Sequence, residues 1–202
     1  MKSYPRWAEV SEALGDKVIA SVKIATTLAR ADLTTYRRAF PVWVAEATER
    51  GLASWIHDRL WFHLAVDLDG LPRVELVDHE PTREVWVGLN YRIRIKRHHE
   101  DGQVNTYPTQ TALEFVTQPD QGFLDGLEQW NLFAGYVWVR DEREIGSAVI
   151  SLHEGDSVIW EERLDEPEGG SDAGPARPVT PEPKPPTIET PSQEAERRTE
   201  DE

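Results

Sequence analysis

Apolar residues in the first sixty positions recur every three or four residues, the period of one face of an α-helix. Trp7, Val10, Leu14, Val18, Val22, Ala25 and Leu28 form one such stripe. Gly15 followed by Asp16 interrupts it, and aspartate is a good helix N-cap, so a break is expected there. Asp32 is expected to cap a further short helix through Phe40. Pro41 suits the first position of the next helix, where its missing N–H is no loss. Val44, Ala47, Leu52, Trp55, Ile56 and Leu60 carry the stripe onward, with a weak point at Gly51.

Beyond Leu60 the period shortens to two. Leu60, Phe62, Leu64, Val66 and Leu68 are apolar at successive even positions, and Asp69-Gly70 follows, which predicts a strand and a tight turn into Arg73–Val77. After a turn at His79–Thr82, residues 84–99 read as one long strand. Val85, Val87, Leu89, Tyr91, Ile93 and Ile95 lie on one face, with Trp86, Arg92, Arg94 and Lys96 on the other. Glu100-Asp101-Gly102 is expected to return the chain into a strand at Gln103–Tyr107. Thr111 and Glu114 have capping-box spacing for a short helix to Thr117. Alternation resumes at Leu132, Ala134, Tyr136 and Trp138, again at Ala148, Ile150 and Leu152, and last at Val158–Trp160.

The last 38 residues, 165–202, contain one isoleucine, one valine and no aromatic, too little apolar surface to offset chain entropy. They are expected to form a disordered, acidic, Pro-rich tail. The expected fold class is therefore α+β: N-terminal helices (about 1–60) packed on an antiparallel meander sheet of about six to seven strands (about 61–164), in a single domain over 1–164.

Composition narrows the chemistry. The chain carries a formal charge of −15, of which the tail contributes −7 and the remainder −8. This balance opposes indiscriminate coating of nucleic acid or anionic membrane, although a local basic patch can still act. There is no cysteine, which excludes disulfides, thiolate metal sites and a cysteine nucleophile. The N-terminus lacks the apolar stretch of a secretory signal and no run is long enough to span a bilayer, so the cytoplasm is the expected location, without membrane attachment. Eight tryptophans are read as filling a small core.

Arg92, Arg94, Lys96, Arg97 and His99, with Trp86 beside them, form the one strongly basic surface in an acidic chain. Cations next to an aromatic ring suit an anionic partner. The simpler expectation is that the cations pair across the sheet with glutamates such as Glu75 or Glu114. Zinc-type His spacing, nucleotide-binding glycine loops and the serine-hydrolase elbow are all absent, and no cofactor is expected. The leading expectation is a non-enzymatic accessory protein that binds a macromolecular partner, a protein first, through this basic strand face. The alternative is a nucleic-acid-binding regulator with the acidic tail as competitor. A third is a metal-assisted hydrolase built on Asp78, His79 and His99.

Overall fold

The computed structural model describes residues 3–79, 82–106, 109–118 and 128–164. The expected tail and the last residue of the strand expected at Gln103–Tyr107 lie outside the described residues. Helix α1 (Trp7–Leu14) ends at Gly15, whose φ of 79° is the left-handed geometry that glycine tolerates, and α2 (Asp16–Ala39) begins at once. The break expected at Gly15 and Asp16 is present, but the N-cap is Gly15 and Asp16 is the first residue of α2, without a side-chain capping bond. The one expected at Asp32 is not, because Asp32 spends its carboxylate between helices instead. It accepts from Arg59 Nε at 2.7 Å and lies 2.7 Å from His63 Nε2.

Pro41 opens α3 (Pro41–Glu46), and Thr48 caps α4 (Glu49–Leu68) by accepting from the Gly51 amide. The strand expected at Leu60–Leu68 is the end of α4. Leu60, Leu64 and Leu68 are buried while Phe62 and Val66 are exposed, a spacing of four that even-numbered alternation also satisfies. Asp69-Gly70 ends this helix rather than turning a hairpin.

Six strands follow: β1 (Val74–His79), β2 (Thr82–Val87), β3 (Tyr91–His98), β4 (Trp130–Val139), β5 (Glu144–Glu154) and β6 (Ser157–Leu164). They lie in the sheet in chain order, and every pair is antiparallel except β3 and β4, which run parallel. A parallel step needs a crossover. It is supplied by the segment that holds α5 (Gln110–Val116), whose N-cap is Thr109 and not Thr111. The return strand expected at Gln103–Tyr107 reduces, among the described residues, to one bridge between His98 and Val104. The long strand expected over 84–99 is folded in two. Gly88, Leu89 and Asn90 turn the chain so that Trp86 sits opposite Arg92 and Glu84 opposite Arg94.

The helices cover one face of the sheet and bury Val85, Ile93, Ile95, Leu132, Tyr136, Ile150 and Leu152 against Leu33, Ile56 and Leu64. A smaller apolar cluster of Phe115, Val116 and Phe133 places α5 on the other face. Strand β4 is thus covered on both sides and is buried from Trp130 to Trp138. Gly135 pairs with Lys96, and a Cβ there would stand 2.0 Å from the Lys96 carbonyl oxygen, so only glycine lets β3 and β4 approach at this level.

Candidate functional site

The basic strand residues meet three different environments. Glu84 is 2% exposed and gathers the first of them. Its carboxylate accepts from Trp86 Nε1 at 2.7 Å, from Arg92 Nε and Nη2 at 3.1 and 2.9 Å, and from Arg94 Nε at 2.8 Å. Burial works against the charged carboxyl, but the hydrogen bonds from Trp86, Arg92 and Arg94 outweigh it and hold Glu84 below the usual carboxylate range. Phe115 of α5 closes the cluster, with the Arg94 guanidinium 4.0 Å from its ring centre and that of Arg92 5.7 Å away. Arg92 also lies over the Trp86 ring at 5.0 Å. The expected cross-strand mates, Glu75 and Glu114, are replaced by Glu84, which the hairpin turns toward the arginines.

The second environment is a cleft of about 780 Å³ between α4 and the ends of β2, β3 and β4. Its charged lining is Glu49 and Asp58 against Arg50, Arg83, Lys96 and Arg97, with His57 beside them. Arg50, Ser54 and His57 fall on one side of α4 because they are spaced three and four apart. Asp58 is already taken by Arg83 at 2.5 Å, and Glu49 by Arg97 and Arg143, each at 3.2 Å. Arg97 further lies over the Trp138 ring at 5.5 Å.

Lys96 has no such mate. Its half-buried amine makes no hydrogen bond or ion pair with a described residue. Burial, and after it the neighbouring Arg94 charge, pulls its pKa down. Tyr136, which also lines the cleft, has a buried hydroxyl without a hydrogen-bond partner among the described residues, and burial pushes its pKa up. The His57 ring is biased toward its neutral form by burial and then by Arg83. The cleft therefore presents more cationic than anionic groups, and Lys96 and the Tyr136 hydroxyl have no mate among the described residues.

The third environment lies two residues beyond Lys96. His98 Nε2 is 2.8 Å from Ser151 Oγ, and His153 Nε2 is 2.9 Å from the same oxygen. All three are essentially inaccessible. One hydroxyl can donate to one imidazole Nε2 and accept from the other, while His98 Nδ1 has no hydrogen-bond partner among the described residues. Burial lowers His98 to about 3, with His153 adding to the shift, and lowers His153 to about 4. Without access to solvent this group is a core network.

Of the sequence-predicted residues, Lys96 and Arg97 reach the cleft, Trp86, Arg92 and Arg94 belong to the Glu84 cluster, and His99 sits in the turn after β3, its amide donating to Gln103 O. Sequence reasoning missed Arg50, His57, Asp58, Arg83 and Tyr136. The only available signal was the shared face of α4. Asp78 accepts from Trp61 and Arg83, and no three acidic or histidine residues among those described are grouped to hold a metal ion. Among the described residues no helix is long and apolar enough to cross a membrane. No family model, curated protein or solved structure matches the chain.

Proposed function

We propose that this chain is a non-enzymatic interaction protein that receives an acidic segment of a protein partner in the cleft between α4 and β3. The observation that carries the reading is Lys96, a half-buried ammonium without an anion among the described residues. Withdrawing a charge from water is costly unless a counter-charge meets it, and the nearby carboxylates of Glu49 and Asp58 are engaged by other cations. A partner carboxylate supplies what is missing, and the exposed Arg50 is a further donor for it. A protein suits the site better than nucleic acid for two reasons. The chain's −15 charge opposes a dense polyphosphate, whereas an isolated acidic segment feels chiefly the charges within about 8 Å at physiological salt. The Trp86 ring, bonded through its N–H to Glu84 and covered by Arg92, is also not free to stack on a base.

The test is NMR titration of the full chain with an acetylated, amidated hexapeptide carrying two glutamates among glycine and serine. Shift changes should concentrate on residues 50–58 and 95–97 and weaken as salt rises. Lys96→Met should reduce affinity at least tenfold, while Lys23→Gln, away from the cleft, should leave it unchanged. Equal affinity in the Lys96→Met protein rejects the proposal. Tighter binding of an oligothymidylate than of the peptide would put the nucleic-acid reading in its place.

A further inference from the structure

The Lys96 cleft lies at a short, definable distance from the point where the acidic tail begins. Leu164, the last residue of β6, pairs with Ala148, Ala148 pairs with Tyr136, and Tyr136 pairs with Arg97. Tyr136 and Arg97 line the cleft, so the end of β6 shares one row of the sheet with it, three strands away. At ~4.8 Å per strand the separation is roughly 14 Å.

The helical side of this row is closed by α2. Thr26 donates to Gly135 O, and Arg30 donates to Ile145 O and Gly146 O. Arg163 points to the side opposite Leu164 and there donates to Glu100 O at 2.8 Å, in the turn that follows β3. A few residues further on, Asn105 lines the cleft. The same short loop therefore touches both the end of β6 and the wall of the cleft. Residues 165–168, which follow β6 at once, read Asp-Glu-Pro-Glu. Pro167 biases Glu166 toward extended backbone. Four extended residues span ~13 Å, and the long side chains of Glu168 and Lys96 supply the remaining reach.

We propose that residues 165–168 of this chain's own tail occupy the Lys96 cleft until the acidic segment of a partner displaces them, an inference that rests on the reading of the cleft given above. Charge directs the segment there. Beside the exit stand Glu100, Asp101 and Glu162, and the adjoining cation, Arg163, is held by Glu161 at 2.8 Å. The exposed Arg140 is followed directly by the exposed Asp141 and Glu142. In the cleft the balance is reversed: Arg50, Arg83, Lys96 and Arg97 face Glu49 and Asp58, both already engaged. Three carboxylates within four residues match that excess. So short a tether holds them at an effective concentration on the order of mM, enough for a weak contact to compete with a free peptide.

The experiment compares full-length variants in the titration with the two-glutamate hexapeptide. Asp165→Asn/Glu166→Gln/Glu168→Gln should bind it roughly fivefold more tightly or better. Glu194→Gln/Glu196→Gln/Glu200→Gln removes the same charge further along and should change affinity less than about twofold. Before peptide is added, the first variant should already differ from the parent chain in the amide shifts of residues 95–97, and the second should not. In the Lys96→Met protein the gain from the first triple replacement should vanish. Unchanged affinity and unchanged free-chain shifts in the first variant overturn the inference and leave the reading of the cleft intact. Equal gains in both variants also overturn it, because net charge then accounts for them. Should the peptide bind neither chain, the free-chain shifts decide alone: a change at 95–97 confined to the first variant upholds the tail contact, and none overturns it.

Discussion

Glu84 and Lys96 lie on neighbouring strands, yet one is saturated with partners and the other has none among the described residues. Along alternate positions of β3 the chain handles a withdrawn basic group in three ways. Arg92 and Arg94 share one buried carboxylate. His98 sheds its proton and bonds a serine. Lys96 keeps an amine with neither remedy. A basic side chain on a strand is therefore not by itself a binding signal. The unmet one is, because its cost persists until something outside the fold meets it.

The comparison breaks first at Glu84. Glu84→Gln removes the shared anion and leaves two half-buried guanidiniums facing each other, which should cost roughly 2–4 kcal/mol in chemical denaturation. Gly135→Ala drives a methyl into the Lys96 carbonyl and should cost roughly 3 kcal/mol, with loss of the cleft shifts in the peptide titration.

The histidine solution is tested by pH. The folded pKa values of His98 and His153 lie below the ordinary 6.5, so the unfolded chain takes up protons first as pH falls. Their stabilisation is complete above about pH 6.5 and is lost on descent toward about 4 for His153 and about 3 for His98, each ring contributing up to ~1.4 kcal/mol per pH unit. Protein in which His153→Gln keeps a partner for Ser151 should lose about half of that slope between pH 6 and 5; an unaltered slope would assign the dependence to other groups.

The smallest effect sharpens the contrast most. Lys96→Met should raise stability by up to about 1 kcal/mol, since it removes a charge with no mate, while it weakens peptide binding. Lower stability in that variant would mean that Lys96 is satisfied within the fold, like Arg92.

Local signals in the sequence were decisive wherever one residue's covalent geometry suffices. Gly15 with Asp16 divided α1 from α2, and Pro41 began α3. Alternation put Val85, Ile93 and Ile95 in the core and Leu132, Ala134, Tyr136 and Trp138 on one face. Where two periods agree, pattern alone misled. Leu60, Leu64 and Leu68 fit a helix as well as a strand, and only the exposure of Phe62 and Val66 separates them. Residues 84–99 read as one strand because the turn at Gly88–Asn90 keeps the beat of two intact.

The order of residues determined that this chain would pair an apolar helical face with a sheet and would carry its cations on alternate positions of β3. The tertiary structure decided which of those cations found an anion. The parallel alignment of β3 with β4, the placing of α5 over Arg94 and the approach of α4 to Lys96 all join segments distant along the chain. Electrostatic energy depends on distance in space and on exclusion of water, and neither is a function of sequence separation.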